Sequence, residues 1–424
     1  MKRILLTFLI IISTFLSLKP YKQIEGNIIN ITNNTFTILT NKGTIYTFNK
    51  PNNFNNIIND NIKIKYENKI SDFRNIQNIT IKKIENIPYI KYNQSNLFKN
   101  YYIKATEKVK NMTTEEKIGQ LLLVRVPEKE KIETIKKYNM GGYILFGRDV
   151  VNKTKEELIK EIQDYQQNSK IGLLIAIDEE GGKVTRLSQN KKIISSPFLS
   201  SQELYKINGF DEIKKDTIEK NKILYELGIN LNLAPVADVT TDEKAYMYKR
   251  SFGQNATLTS EYIKTVIENT DYKVSYTLKH FPGYGNNVDT HKGIAIDERT
   301  YENFINDDFK PFMEGIKNNV QAILFSHNYM TCVDEKNPSS LSPNVHNILK
   351  NELNYKNITI TDDISMNGLN NIENKYTKAL LAGNNILIVT DYEKAYTEIL
   401  NSLENKQISE ELINYLVTQN IAWK

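Results

Sequence analysis

Hydrophobic positions follow one pattern in the first quarter of the chain and another in the rest. Between residues 21 and 95, short apolar runs alternate with turn residues and predict strands at 36–39, 44–48, 62–66 and 79–84. Asn41, Lys42 and Gly43 lie between the first two runs and predict a hairpin turn. We expect a small β-rich module, barrel-like or sandwich-like, over residues 21–98.

From residue 101 onward, apolar runs alternate with helical segments. Eight runs predict strands, at residues 120–126, 142–146, 172–177, 230–235, 274–278, 322–325, 358–361 and 386–389. Helical patterns lie between them, for example over residues 153–168, 211–227, 301–318 and 374–382. Eight such repeats predict an α/β fold, a (β/α)8 TIM-like barrel over residues 101–424. An open doubly wound sheet is the alternative, and the lack of a Gly-x-Gly-x-x-Gly loop after the first strand disfavours it.

The N-terminus has the character of an export segment. Lys2 and Arg3 precede an apolar run over residues 4–18, which fits the charged and hydrophobic regions of a signal peptide. The run is short for a membrane span, but no Ala-x-Ala cleavage site follows it, so an uncleaved anchor is the alternative. We expect residues 1–20 to be a signal peptide or a membrane anchor. The protein is then secreted or attached to the outer face of the cytoplasmic membrane.

Composition narrows the possible chemistry. The 55 Lys and Arg residues against 50 Asp and Glu give a net charge of +5, too mild over 424 residues to indicate a nucleic-acid partner. The single cysteine, Cys332, excludes a disulfide framework and a thiolate metal cluster. Four histidines leave little material for a multi-histidine metal site. We therefore expect carboxylates, one or two histidines and basic side chains to do the chemistry, with no cofactor and no metal. Composition does not predict the oligomeric state.

Polar side chains follow most of the predicted barrel strands, where barrel enzymes have their active sites. These residues are Arg148, Asp178, Asp238, Lys279, His280, His327, Asp362 and Asp363. A single strand-end aspartate often only caps a helix, but this convergence favours a site. Of the adjacent pair Asp362 and Asp363, only one can point into the barrel mouth.

A second polar segment lies on the loop after the fifth strand. Asp289 and His291 are two residues apart, so the carboxylate can hydrogen-bond one imidazole nitrogen and raise the basicity of the other. Such a pair serves as a general acid and base. The glycines before it indicate a loop that moves.

Six ordered motifs between residues 106 and 391 resemble glycoside hydrolase family 3, and within it the β-N-acetylglucosaminidase branch. They run from Asp178 to Leu187, Ala234 to Val239, Arg250 to Gly253, Lys279 to Gly285, Asp289 to His291 and Thr361 to Met366. Tyr284 stands where the family commonly has histidine, Lys183 where it has arginine and Thr290 where it has serine.

The resemblance implies a role for each matched residue. Asp362 matches the catalytic nucleophile. His291 matches the acid and base, with Asp289 as its orienting partner. The residues that match binders of the N-acetylglucosamine ring and its acyl group are Asp178, Arg186, Arg250, Lys279 and His280.

The implied activity is that of a retaining exo-acting β-N-acetylglucosaminidase. Its partner is an oligosaccharide or muropeptide, from peptidoglycan fragments or chitooligosaccharides. A β-glucosidase-like or phosphorolytic enzyme of the same family is the nearest alternative. A non-catalytic sugar-binding barrel is a second one.

A metal-dependent barrel hydrolase is the rival from another mechanistic class. It would use Asp178, His280, His291 and Asp362 as ligands. Lys279 places a cation beside them, and no His-x-His pair follows the first strand, so the sequence disfavours it.

Overall fold

The computed structural model describes residues 21–67, 79–92, 97–271, 273–285 and 293–424. The chain divides into two compact units, residues 1–93 and 94–424. The predicted export segment, residues 1–20, lies outside the described residues. Among those that are described, no helix has the length and apolar character needed to cross a bilayer.

In the first unit, the described residues form an antiparallel sheet of five strands. They are β1 (Lys22–Ile31), β2 (Thr35–Thr40), β3 (Ile45–Asn49), β4 (Asn61–Glu67) and β5 (Thr80–Asn86). Their order across the sheet is β3-β2-β1-β4-β5, so the described residues form one sheet and not a two-sheet sandwich. The predicted N-terminal β-rich module is therefore confirmed, and of its two expected forms the sandwich-like one is not found among the described residues.

The core of this unit comes from alternate residues of its strands. Ile28 faces Ile38 across the β1–β2 pair, and both are fully buried. The predicted turn joins β2 to β3, with Gly43 at a φ of 74° and its N–H donating to Thr40 O at 2.9 Å. The central strand β1 was not predicted, because Gly26, Asn27 and Asn30 interrupt its apolar pattern.

The described residues of the second unit form ten strands. In chain order they are β6 (Leu122–Arg125), β7 (Gly142–Leu145), β8 (Leu174–Ile177), β9 (Leu231–Asn232), β10 (Ser275–Phe281), β11 (Ile296–Asp297), β12 (Ala322–Phe325), β13 (Tyr329–Met330), β14 (Ile358–Thr361) and β15 (Leu387–Val389). β11 and β13 form a small parallel pair of their own. The other eight form one parallel sheet in the order β14-β12-β10-β9-β8-β7-β6-β15.

The eight-stranded sheet closes into a barrel. A bridge between Ile360 and Ile386 joins the two strands at the ends of the sheet order. Each of the eight predicted strands corresponds to one of these strands, with ends that differ by a few residues. The predicted (β/α)8 TIM-like barrel is confirmed, and the doubly wound sheet is excluded.

Helices connect the strands on the outside of the barrel. They are α1 (Tyr102–Lys110), α2 (Thr114–Gly119), α3 (Lys131–Tyr138), α4 (Gly147–Val150), α5 (Lys155–Gln167), α6 (Ser201–Glu226), α7 (Ala256–Glu268), α8 (Tyr301–Asn303), α9 (Phe309–Lys317), α10 (Pro343–Asn347), α11 (Lys375–Ala382), α12 (Tyr392–Glu404) and α13 (Glu410–Trp423). Helix α6 begins ten residues before the predicted start at 211, because Asn208 and Gly209 break its backbone without ending it.

The lumen of the barrel is packed in layers. One buried apolar cluster includes lumen residues from six strands, namely Leu123, Ile144, Ala176, Leu324, Ile360 and Ile388. Because side chains in a strand alternate, the residues two positions further on face the same way. Those residues are Arg125, Phe146, Asp178, Ser326, Asp362 and Thr390. They form the layer at the C-terminal mouth of the barrel.

Candidate active site

Lys279 is the central cation of the barrel mouth. Its side chain is 3% exposed, and its Nζ lies 2.8 Å from Asp178 Oδ1 and 2.6 Å from Glu180 Oε1. Burial works to lower the pKa of Lys279, but the two carboxylates outweigh it and raise that pKa above its usual value. The ammonium group therefore stays charged within the site.

Glu180 joins Lys279 to Arg250. Arg250 donates from Nη2 to Oε1 of Glu180 at 2.7 Å and from Nε to Oε2 at 3.1 Å, a paired geometry that guanidinium and carboxylate groups favour. Burial works to raise the pKa of Glu180, but Lys279 and Arg250 lower it to about 2. Glu180 is thus an anion that fixes two cations in place.

His280 is held by Asp238, which follows the fourth barrel strand. His280 Nδ1 lies 2.7 Å from Asp238 Oδ2, and His280 Nε2 lies 3.4 Å from Arg250 Nη2. Arginine can only donate, so Nε2 is the acceptor and Nδ1 carries the proton that Asp238 accepts. The other oxygen of Asp238 accepts the Tyr284 N–H at 2.7 Å. One carboxylate therefore positions both the imidazole ring and the start of the following loop.

Of the three consecutive acids at 178–180, Asp178 and Glu180 both contact Lys279, whereas Glu179 has other partners. Asp178 Oδ2 lies 3.3 Å from Arg186 Nη2, so Asp178 bridges Arg186 and Lys279. Glu179 is fully buried and accepts the backbone N–H groups of Arg186 and Leu187, each at 2.8 Å. Asp178 therefore belongs to the mouth, whereas Glu179 shapes the loop that carries Arg186.

Asp362 and its neighbour Asp363 differ in their contacts. Oδ1 of Asp362 accepts the Asp363 N–H at 2.9 Å, and the side chain is half-buried in the mouth layer. The Asp363 carboxylate accepts the Ser365 N–H at 2.9 Å and the Thr390 hydroxyl at 2.5 Å. Asp363 is thus bonded into the turns after β14 and β15.

His327 supports the backbone behind Asp362. Its Nε2 lies 3.0 Å from the carbonyl oxygen of Asp363, and its Nδ1 lies 2.7 Å from Ser340 Oγ. A carbonyl only accepts, so Nε2 carries the proton and Nδ1 accepts from Ser340. Burial lowers the pKa of His327, which favours this neutral form. His327 therefore fixes the backbone at Asp363.

Asp289 and His291 lie outside the described residues, but both flanks of their segment are described. On the N-terminal flank, a Cβ on Gly283 would lie 2.2 Å from Asp308 Oδ1, and one on Gly285 would lie 2.7 Å from Arg299 Cζ. Glycine is required at both positions, which also have φ angles of 123° and 55°. On the C-terminal flank, the Tyr329 N–H donates to Ala295 O at 2.8 Å. The segment therefore begins and ends on fixed backbone.

Arg299 lies between two buried carboxylates, those of Asp297 and Asp308. It donates to Asp308 Oδ2 at 2.7 Å and to Asp297 Oδ2 at 2.8 Å. Burial raises the pKa of Asp308 to about 7, and Arg299 opposes that shift.

Arg148 does not join the cluster of polar side chains that the sequence predicted at the barrel mouth. Its guanidinium donates to Glu128 and to the Val126 carbonyl, each at 2.5 Å, on the rim.

Among the residues that the structure describes, no group of three or more His, Cys, Asp or Glu could hold a metal ion. Of the four ligands in the metal hypothesis, Asp178 is bonded to two cations and His291 is outside the described residues.

Two further side chains complete the cluster and were not assigned to the site from sequence. Glu180 lies inside the motif from Asp178 to Leu187, two residues after Asp178, a spacing that places both on one side of an extended chain. The sequence predicts Asp238 only as a polar residue at the end of a strand, without a role in the site. Their partners, Arg250 and His280, are 70 and 42 residues away, so only the folded barrel reveals the pairs.

Comparison with known proteins gives one consistent result. The model of the glycosyl hydrolase family 3 N terminal domain matches residues 113–421. A beta-hexosaminidase of Actinobacillus pleuropneumoniae serotype 5b is 27% identical over 328 residues, covering 72% of this chain and 91% of that protein. A beta-hexosaminidase of Haemophilus ducreyi is 30% identical over 293 residues, covering 65% of this chain and 81% of that protein.

A solved structure shows the same relationship. The glycoside hydrolase family 3 beta-N-acetylglucosaminidase from Paenibacillus sp. str. FPU-7 superposes with a TM-score of 0.69 at 28% identity. The match covers 74% of this chain and 62% of that one, so it spans less than two thirds of the Paenibacillus chain. The resemblance found in the motifs is confirmed: the chain belongs to glycosyl hydrolase family 3 and is a glycoside hydrolase.

Proposed function

We propose that the protein is a retaining, exo-acting β-N-acetylglucosaminidase. The observation that carries this proposal is the placement of Asp362 in the same mouth layer as Asp178, which is bonded to Lys279 and Arg186. A carboxylate beside a charged, hydrogen-bonding cage suits a sugar whose anomeric carbon must be attacked. The hexosaminidase names of the relatives support N-acetylglucosamine as that sugar.

The cage offers matched partners for one hexosamine ring. Asp178 accepts hydroxyl groups, while Lys279 and Arg186 donate to their oxygens, and such charge-assisted bonds are strong. Arg250 and His280 form the adjoining wall, where the acetamido group binds. Each of these side chains is fixed by another, so little ordering is needed when the sugar enters.

The reaction proceeds in two displacements. A carboxylate oxygen of Asp362 forms a bond to the anomeric carbon as the bond to the leaving oxygen breaks, and His291 gives that oxygen its proton. Water then attacks the glycosyl-enzyme as His291 takes its proton, and the Asp362 carboxylate departs. Two inversions retain the anomeric configuration. Asp289 orients His291 and stabilises its protonated form.

The natural substrate in this proposal is a cell-wall glycan. Export through residues 1–20 would place the enzyme where peptidoglycan fragments occur, and we favour these over chitooligosaccharides. A protein that releases sugar from chitobiose and not from muropeptides would contradict this choice. A β-glucosidase-like specificity, phosphorolysis and sugar binding without catalysis are the alternatives.

The test is release of p-nitrophenol from its β-N-acetylglucosaminide by the wild type, Asp362→Ala and His291→Ala, each with and without chelator. We expect chelator-resistant turnover that is lost in Asp362→Ala. In His291→Ala, turnover is rescued in part by a substrate with a good leaving group. Turnover that chelator abolishes would favour a metal hydrolase. No turnover of this substrate or of the glucoside by the wild type would favour a binding protein.

A further inference from the structure

Arg125 is a cation in the mouth of the barrel for which the described residues supply no counter-ion. It ends β6 and lies two residues beyond the buried lumen residue Leu123, in the layer that contains Asp178 and Asp362. Within the described part of the chain, no carboxylate pairs with Arg125, and its Nε is buried without an acceptor. Lys279, in contrast, has two carboxylate partners.

The contact that Arg125 does make is with an aromatic ring. Its guanidinium carbon lies 4.4 Å from the centroid of Phe146, and that of Arg186 lies 5.2 Å from the same centroid. The Nε of Arg186 is likewise buried without an acceptor. Two guanidinium groups thus share one ring, and among the described residues the one carboxylate bonded to either of them is Asp178, which lies 3.3 Å from Arg186. The ring holds their positions but supplies no hydrogen-bond acceptor.

The position of this pair relates it to the reacting sugar. Arg186 is bonded to Asp178 in the sugar cage, and Arg125 is separated from Asp362 by one strand, β15. Neighbouring strands lie about 5 Å apart, so Arg125 and Asp362 are separated by about 10 Å across the mouth. A single pyranose ring and a short substituent bridge that distance.

From these contacts we propose that Arg125 and Arg186 form an oxyanion subsite at the barrel mouth. It takes a carboxylate or phosphate group held beside the bound hexosamine, and guanidinium is the side chain best matched to such planar or tetrahedral oxyanions. The inference rests on the proposed function, since the hexosamine places the anion. Two sources supply this chemistry: an acidic substituent on the substrate, or inorganic phosphate from solution.

The first arm of the test uses the full chain and a matched pair of substrates. They are the disaccharide of N-acetylglucosamine β-linked to N-acetylmuramic acid, and its methyl ester, which lacks only the charge. We expect the wild type to have a KM at least tenfold lower for the acid than for the ester. In Arg125→Gln the ratio of the KM for the ester to the KM for the acid approaches one. Arg125→Lys keeps the charge but loses the paired N–H groups of the guanidinium, and it gives an intermediate ratio.

The second arm measures inorganic phosphate. Calorimetric titration of the wild type and Arg125→Gln gives its affinity, and product analysis shows whether a sugar 1-phosphate forms. If phosphate is the anion, its affinity falls at least tenfold in Arg125→Gln while the acid and the ester are turned over alike. Arg148→Gln is the control, because Arg148 is a neighbouring arginine that is already bonded to Glu128 and to a carbonyl.

The outcomes separate this inference from the proposed function. A wild type that neither prefers the acid over the ester nor binds phosphate overturns the subsite, even if Arg125→Gln fails to fold. An equal effect of Arg125→Gln and Arg148→Gln also overturns it, because general charge then explains the result. Failure of the wild type to cleave any β-N-acetylglucosaminide overturns the proposed function, while phosphate affinity still reports on Arg125.

Discussion

Arg299 and Asp308, which follow in the chain the segment that carries Asp289 and His291, form an ion pair in which Nη1 lies 2.7 Å from Oδ2. Asp308 packs against Gly283 before that segment, and Arg299 is also bonded to Asp297 after it. A single guanidinium group therefore ties together both flanks of the proposed acid and base.

Replacement of Arg299 by methionine should impair proton delivery more than sugar binding. Loss of the tie allows the flanks to separate, and a misplacement of about 1 Å can cost about 100-fold in rate. We expect kcat/KM to fall by about that factor for chitobiose, whose leaving group needs the proton. The fall should be much smaller for the p-nitrophenyl glycoside, and Arg299→Lys should recover part of the loss. Equal losses on the two substrates would show that Arg299 only stabilises the fold.

Gly285→Ala and Gly293→Ala form a matched pair on the two sides of the same segment. At Gly285 a methyl group would lie 2.7 Å from the Arg299 guanidinium carbon at a φ of 55°, whereas at Gly293 it would meet no atom of the described residues within 4 Å, chain neighbours aside. We expect Gly285→Ala to lose about 1–3 kcal/mol of unfolding free energy and at least tenfold in kcat/KM. Gly293→Ala should change stability by less than about 0.5 kcal/mol. Urea denaturation and initial rates measure both, and identical behaviour would contradict the role of the Arg299 contact.

Asp362→Ala should mainly lower activity, whereas Asp363→Ala should mainly lower stability. Removal of the proposed nucleophile should lower kcat by about 1,000-fold or more while the unfolding free energy changes little. Removal of Asp363 leaves the Ser365 N–H and the Thr390 hydroxyl without their acceptor, which should cost about 1–3 kcal/mol of stability and a smaller part of the activity. Initial rates and urea-denaturation midpoints of both variants test this assignment of roles. Greater inactivation by Asp363→Ala would reverse the assignment.

The pKa of Glu180 predicts how stability changes in acid. Because the folded state lowers that pKa from 4.5 to about 2, the contribution is fully present above pH 4.5 and is lost as the pH falls from 4.5 towards 2. A shift of this size corresponds to about 3 kcal/mol. Glu180→Gln should be less stable near neutral pH and should show a shallower loss of unfolding free energy in acid. The exposed Glu335→Gln serves as the control, and parallel pH curves for wild type and Glu180→Gln would contradict the prediction.

The barrel strands could be predicted from sequence because parallel strands buried on both faces are short, continuous apolar runs. Leu174–Ile177 and Ile358–Thr361 are clear examples. Strand β9 has only two residues in the sheet, Leu231–Asn232, and its predicted extension to 235 ends instead in loop backbone. The polar residues at the strand ends could be predicted because each directly follows one of these apolar runs. Their pairings could not be predicted, because Glu180 and Arg250 meet only when β8 and the loop after β9 come together.

The contacts that the two carboxylate oxygens of Asp238 make should affect the kinetics of the enzyme. One holds the His280 ring at the proposed acetamido wall, and the other holds the Tyr284 N–H, from which the chain leads into the acid and base segment. A sugar that displaces the ring therefore also displaces the root of that segment. Discrimination against sugars without the acetamido group should then appear in turnover number and not in affinity alone, because recognition and proton transfer share one support.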